Sequence, residues 1–380
     1  MDMNITSSVQ ERYTEGANER QAELCCPVNY NAKYLKVIPQ EVIDRDYGCG
    51  DPSQYVKEGD VVLDLGSGGG KICFIASQVA GKSGHVIGVD MTDDMLDLAR
   101  RNAPVVAEKI GYSNIEFKKG NIQDLKTDLG LVDKYLSDNP VKDAKSLESL
   151  NTYIQKIGSE RPMIADNSID IIVSNCVLNL VSDQEKKQLF QEMYRVLKVG
   201  GRIAISDIVS DEVSPAHLKK DDKLWSGCIS GAFQENEFGL LLEDVGFYGV
   251  SIDKLDSDPW QIVEGIEYRS MTILAWKSDN SQAYDKNQAI MYKGPWKEVV
   301  DEQGRRFPRG KRIAVSSQIF DIMQKEPYKD HIIAIEPHIA VEENIPFKDA
   351  CCGLNERSPA QTKRGSEKIT TDPGQGSSCC

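Results

Sequence analysis

Cys176 stands where an apolar strand breaks into polar residues, in Ile169–Asp170–Ile171–Ile172–Val173–Ser174–Asn175–Cys176–Val177–Leu178–Asn179–Leu180. Three more isolated cysteines, Cys49, Cys73 and Cys228, are expected around the same cleft. A lone cysteine in an apolar run is usually a small core residue. Four thiols gathered at one cleft offer something else: soft ligands for a soft, thiophilic centre. The chain has no C-x-x-C pair matched with another, so spacing argues against a structural zinc. Zinc would also saturate the thiols and leave no reacting lone pair.

The elements that position these thiols follow a regular rhythm. Val61–Val62–Leu63–Asp64–Leu65–Gly66 reads as a buried strand, Gly66–Ser67–Gly68–Gly69–Gly70 as a tight loop, and Lys71 onward as a helix. His85–Val86–Ile87–Gly88–Val89–Asp90 is a second strand, and Met95, Leu96, Ala99 and Ala103 give a helical period after it. A short third strand spans 114–118, a fourth 169–176 and a fifth 202–209. Helix 183–198 carries Leu189, Phe190, Met193, Val196 and Leu197 on one face and ends at Gly200–Gly201. A helix over 235–246 and late strands over 248–254 and 268–276 complete the pattern. Alternating strands and helices imply a doubly wound, Rossmann-like α/β sheet, with an antiparallel edge.

Four segments are expected. Residues 1–58 are helical and irregular, and 59–279 form the sheet domain, interrupted by a charged helical insertion at 126–166 over one sheet edge. Residues 280–350 form a small α+β domain around Trp296, and 351–380 a disordered tail rich in Ser, Gly, Pro and charge. The chain has 380 residues, 40% of them hydrophobic, which suffices for a packed core. A formal net charge of −14 argues against extended contact with nucleic acid. No apolar run reaches the roughly 18 residues of a membrane span. The polar start is neither a signal nor a transit peptide, so a cytoplasmic location is expected, where ten cysteines would be mostly reduced.

The glycine loop is the second chemical feature. Asp64-x-Gly66-x-Gly68-Gly69-Gly70 follows a strand and opens a helix, where free amides and close backbone approach favour a ligand. Glycines alone do not separate a dinucleotide from S-adenosylmethionine. Asp64 tilts the choice, because a carboxylate sits poorly beside a pyrophosphate and suits the amino-acid end of the methyl donor. Asp90, with Met91 beside it, ends the second strand at the position where an acid meets ribose hydroxyls. Asn121 and Ile122 follow the third strand and are placed to meet the adenine, and Asn175 lies at the end of the fourth.

Cys73, Cys176 and Cys228 are all expected beyond the carboxyl ends of the strands, where open α/β sheets bind ligands. Cys49 precedes the first strand and can fold over the same cleft. Trivalent arsenic fits a thiol cleft beside a methyl donor. It takes three thiolate sulfurs in a pyramid and keeps a lone pair that can attack a sulfonium methyl in line. Arsenic loses no proton in that step, so the protein's task is positioning. Methyl transfer leaves arsenic formally pentavalent, and spare thiols can reduce it by forming a disulfide.

These features together resemble the arsenite S-adenosylmethionine methyltransferases over roughly residues 20–350. The matching stretches are Arg45–Asp46–Tyr47–Gly48–Cys49–Gly50, Val62–Leu63–Asp64–Leu65–Gly66–Ser67–Gly68, His85–Val86–Ile87–Gly88–Val89–Asp90–Met91–Thr92, Val173–Ser174–Asn175–Cys176–Val177–Leu178–Asn179–Leu180–Val181 and Leu224–Trp225–Ser226–Gly227–Cys228. The resemblance implies a class I methyltransferase fold and stepwise methylation of arsenite or its thiol conjugates, with glutathione or thioredoxin as reductant. By the same resemblance, Cys176 and Cys228 are persistent arsenic ligands and Cys73 is the third thiolate of the first methylation. Cys49 pairs with Cys73 in a redox-linked disulfide, and Cys25 or Cys26 joins that relay. Cys351–Cys352 and Cys379–Cys380 echo the cysteine-rich tail of some members. Two departures stand out. The 126–166 insertion is long, and Lys71–Ile72 replaces a common Arg–Asp pair, Lys being unable to fork as Arg does.

Three alternatives stay open. One is another acceptor, a selenium or tellurium oxyanion or a small organic molecule. An organic acceptor normally wants a base, and the four histidines, His85, His217, His331 and His338, lie in a strand or outside the main motifs. Another is a binding protein that sequesters arsenic without turnover, which would need no glycine loop. The last is a structural role for the four cysteines.

Overall fold

The β-branched and aliphatic runs form the strands of one mixed sheet: β1 (Val61–Leu65), β2 (His85–Asp90), β3 (Ile115–Lys119), β4 (Ile169–Asn175), β5 (Leu197–Ser210), β6 (Phe233–Gln234), β7 (Phe247–Leu255), β8 (Gln261–Val263) and β9 (Ile266–Lys277). Their order is β3-β2-β1-β4-β5-β9-β7, with β6 beside β5 and β8 beside β9. The first five are parallel, and β9 runs antiparallel between β5 and β7. The computed structural model describes residues 2–21, 28–279, 282–349 and 354–362. They divide between two compact units, Met1–Lys277 and Ser278–Cys380.

Alternation along the strands builds two apolar layers. Leu63, Leu65, Ile172, Ile203 and Ile205 pack with Phe190 and Met193 of helix Lys186–Val196 and Phe238 and Leu242 of helix Glu235–Val245. Val62, Val86, Ile171, Val173 and Ala204 face Ile72, Cys73 and Ala76 of helix Lys71–Ala80. Each such fully buried aliphatic side chain contributes about 1.5–3 kcal/mol of transfer free energy. The strand order reverses between β1 and β4, and the crevice at their carboxyl ends receives both the glycine loop and Cys176.

Several boundaries differ from expectation. Helix Lys186–Val196 ends before Gly200, and the chain enters β5 at Leu197. Gly200, at φ 78°, lies within that strand where its pairing with β4 is irregular. The insertion folds into helices Leu129–Asp138 and Ala144–Glu160, capped by Asp128 and Asp143. The first packs near the edge strand β3, and no residue of 126–166 lines the central cavity.

The second unit carries two small sheets, β10 (Ala289–Tyr292) between β13 (Ile313–Ala314) and β14 (Ile332–Ile335), and β11 (Glu298–Val300) with β12 (Arg306–Pro308). Helix Ser317–Met323 completes its core around Ile290, Tyr292, Phe307 and Phe320. The expected tail begins too early. Residues 354–362 pack here, because Arg357 is buried against Asp285 at 2.6 Å and the Ala314 amide donates to the Asn355 carbonyl. Cys25, Cys26, Cys351, Cys352, Cys379 and Cys380 lie outside the described residues.

Candidate active site

The glycine loop turns through left-handed backbone at Gly66, Gly68 and Gly70. At Gly66 the constraint is double, since a Cβ there would stand 2.3 Å from Val177 Cγ1. Asp90 secures the loop by accepting the Gly68 amide at 2.9 Å and the Thr92 amide at 2.8 Å. Asp64, Gly66, Ser67, Gly68, Asp90, Met91 and Ile122 line one cavity, with Gly120 and Gln123 where Asn121 was expected. Asn121 itself forms a local bridge with Asp124. Ser67 Oγ is buried without a partner, and the backbone at Gly68 is open, a cradle that fits a polar ligand such as S-adenosylmethionine. Burial pushes the Asp64 carboxyl up to about 7, opposed by a hydrogen bond from the Cys73 thiol at 3.1 Å. Burial and then the Asp64 charge push that thiol well above its usual value.

Beyond the end of β4, beside Asp207 and Ile208 of β5, the other three thiols gather. Cys49, Cys176 and Cys228 are buried in one cluster with Ile208, Leu218 and Tyr268. The Cys49 and Cys176 Sγ atoms and a carboxylate oxygen of Asp207 lie within 4.8 Å of one another. Cys228 Sγ sits 3.2 Å from the Cys176 carbonyl. Asp207 is fully buried, and burial pushes it up to about 6 against the backbone amides that donate to it. Its oxygens hold the Leu178 and Ile208 amides, each at 2.8 Å, and so fix the turn that follows Cys176. Asn179 ties the same turn to the Ile208 and Cys228 carbonyls.

Backbone geometry singles out two of the thiols. Cys176 and Cys228 both have φ 61°, a region that costs a non-glycine residue roughly 1–2 kcal/mol. Cys228 follows helix Asp222–Ser226, and the Cys228 amide donates to the Trp225 carbonyl and the Ile229 amide to the Leu224 carbonyl. That is the helix-ending turn in which glycine normally takes the left-handed position. A cysteine stands there instead, which favours function over local stability.

The amino-terminal helix Asp2–Asn18 closes this side. Tyr13 Oη lies 3.9 Å from Cys228 Sγ, and its ring meets Tyr47 edge-on. Arg12 donates to the Lys223 carbonyl and to Ser226 Oγ, fastening the helix beside the Cys228 turn. Thr6 and Val9 of this helix line the same cavity as the glycine loop.

A methyltransferase domain family matches residues 56–246. Residues 279–367 match a domain of unknown function, DUF8838. The arsenite methyltransferase of Aquipseudomonas alcaligenes is 31% identical, with 85% of this chain and 89% of that protein aligned. The rat arsenite methyltransferase is 32% identical over 84% of this chain and 82% of its own. The chain belongs to the arsenite methyltransferase family. Its fold also matches the crystal structure of CrArsM, an arsenic(III) S-adenosylmethionine methyltransferase from Chlamydomonas reinhardtii, at TM-score 0.55 and 27% identity, covering 85% of this chain and 100% of the other.

In this arsenite methyltransferase family member the four expected cysteines divide three to one. Cys73 points into the apolar layer under helix Lys71–Ala80 and onto Asp64, apart from the cluster of Cys49, Cys176 and Cys228. The geometry therefore sets Cys49, and not Cys73, beside Cys176, with Cys228 in the same cluster. All four are thiols rather than disulfides. Lys71, the departure from the family pattern, is buried in an ion pair with Asp46 and lies 3.6 Å over the Tyr30 ring. Sequence reasoning missed Asp207 and gave no role at the thiol cluster to Asn179 or to the amino-terminal helix. The signal for Asp207 was a carboxylate inside the apolar run of β5; Arg12 and Tyr13 carried none.

Proposed function

We propose that the protein methylates trivalent arsenic, arsenite first and then its monomethyl product. The observation that carries this is the buried approach of the Cys49 and Cys176 thiols, with Cys228 in the same cluster, beside the cleft with the unpartnered Ser67 hydroxyl. Asp64, Ser67, Gly68, Asp90, Met91 and Ile122 would hold S-adenosylmethionine, which supplies a methyl group on a sulfonium as the electrophile for an arsenic lone pair. Cys176 and Cys228 are the principal ligands and Cys49 the third. Each thiol that replaces a hydroxide on arsenic gives its proton to the departing water, so no separate base is required. Burial keeps water out, and Asp207 and Asn179 hold the two left-handed turns in register. Rigid placement of this kind is the main contribution such a protein makes to the rate.

After transfer, arsenic is formally pentavalent, and two electrons from a pair of thiols return it to the trivalent state with formation of a disulfide. Glutathione or thioredoxin then reduces that disulfide, as expected of a cytoplasmic detoxifying enzyme. No helix among the described residues is long and apolar enough to cross a membrane. The test is product speciation: protein, arsenite, S-adenosylmethionine and a thiol reductant, with arsenic species separated chromatographically and detected by element. Mono- and dimethylated arsenic is the expected result. Donor binding without methylated arsenic would overturn it and turn the assay to selenium and tellurium oxyanions.

A further inference from the structure

Asn175, the last residue of β4, was expected to touch the cofactor, and it does line the cavity. Its carboxamide is engaged elsewhere. Oδ1 accepts the Cys49 amide at 2.9 Å and the Gly50 amide at 3.0 Å. Nδ2 donates to the Gly50 carbonyl at 2.8 Å and to Tyr30 Oη at 3.1 Å. A carboxamide has two donor hydrogens and two acceptor lone pairs, so all four are used. Two backbone amides face one atom, which fixes that atom as the oxygen.

The segment so held has no slack. A Cβ at Gly48 would stand 2.0 Å from Asn175 Nδ2, and one at Gly50 would stand 2.4 Å from Ser206 Oγ. Ser270 Oγ donates to the Cys49 carbonyl at 2.8 Å. Behind the loop, Tyr30 lies beneath Lys71, which pairs with Asp46. One strand end thus carries Cys176 and, one residue before it, the group that grips the backbone of Cys49.

We propose that Asn175 is a positioning residue whose carboxamide clamps the Cys49 loop and sets the reach of that thiol to Cys176. The activity arm of its test rests on the proposed function; the labelling arm does not. Arsenite has three exchangeable hydroxides and its monomethyl product two, so a displaced Cys49 should affect the first methylation and spare the second.

The test compares full-length wild type with Asn175→Ala and Tyr30→Phe. The maleimide labelling rate of each cysteine is read by peptide mass spectrometry, and the Kd of S-adenosylmethionine by calorimetry. With Asn175→Ala, Cys49 labelling rises about tenfold, the scale of a few lost hydrogen bonds. Cys73 labelling and the donor Kd stay within about threefold, and KM rises for arsenite more than for methylarsenite. Tyr30→Phe removes one of the four bonds, together with the hydroxyl's own bonds to the Gly50 carbonyl and to Asp46, and raises Cys49 labelling about threefold. If Asn175→Ala also opens Cys73, the variant is unfolding, and Tyr30→Phe decides alone. Unchanged Cys49 labelling with a tenfold weaker donor Kd would make Asn175 a cofactor ligand and sink the clamp. Wild type that methylates no arsenic refutes the proposed function, while the labelling rates still decide the clamp.

Discussion

The cofactor cleft and the thiol pocket lie side by side at the carboxyl ends of the same strands, yet they are built differently. The cleft comes from short contiguous stretches, strand then loop then helix, and its left-handed positions are glycines. The pocket is assembled from loops at residues 48–50, 176–180 and 224–231, and its left-handed positions at 176 and 228 are cysteines. The cleft is a generic device in which backbone conformation is cheap. In the pocket, two side chains are needed where backbone geometry prefers none, and buried polar groups from neighbouring loops hold them there. Chemistry specific to one substrate is found where local preference is overridden.

The largest expected effect breaks the pocket and leaves the cleft whole. Cys176→Ser removes a soft ligand and should lower kcat/KM for arsenite by about 10³-fold or more, since even a ~1 Å misplacement can cost 10²-fold. Donor affinity and melting temperature should stay near wild type. Steady-state kinetics beside calorimetry would check this, and a parallel fall in donor binding would mean that the two regions are not separable.

Asp64 offers a sharper probe of the cleft. Its carboxyl is raised by burial to about 7, above the unfolded value of roughly 4. A raised acid favours the folded state fully below the unfolded pKa, and that contribution is lost as pH climbs through the folded one. Asn at this position does not titrate. The stability of Asp64→Asn relative to wild type, without donor, should therefore increase between pH 4 and 8 by about 3 kcal/mol. Denaturant melts across that range would show it. A flat difference would mean that Asp64 is ionised in the folded protein at no cost.

The smallest effect concerns the strained turn. Glycine is ordinarily the less stable choice against alanine, by about 0.5–1 kcal/mol in regular structure. At Cys228 the order should invert, with Cys228→Gly more stable than Cys228→Ala by about 1 kcal/mol, because φ is 61°. Both variants should lose arsenite methylation. Equal stabilities would show that the turn relaxes when the thiol leaves, and that its strain is not imposed by the pocket.

The two regions also differ in how readily they could be seen in the chain. The sheet, the glycine loop and the carboxylates Asp64 and Asp90 that line its cavity were legible because each is local: a period of apolar residues, a run of glycines, an acid at a strand end. Cys176 and Cys228 were legible as thiols at expected strand ends. That Cys49 and not Cys73 stands beside them was not, because Cys49 reaches the cleft through Asn175, 126 positions away in sequence. Asp207 was hidden inside an apolar strand, where its pattern looked like an interruption. The boundary at 351 failed for a related reason: Arg357 sits in a polar stretch, and only its pairing with Asp285 shows that it is buried.

What the sequence determined by itself is therefore what near neighbours decide: strands and helices, the turn where backbone approaches a ligand, and the presence of soft ligands in a chain with a donor loop. Tertiary structure alone decided which thiols meet, which carboxamide holds them and which helix covers them. Those contacts join loops from different crossovers, and their distances follow from how a twisted sheet brings its strand ends together, which no local pattern encodes.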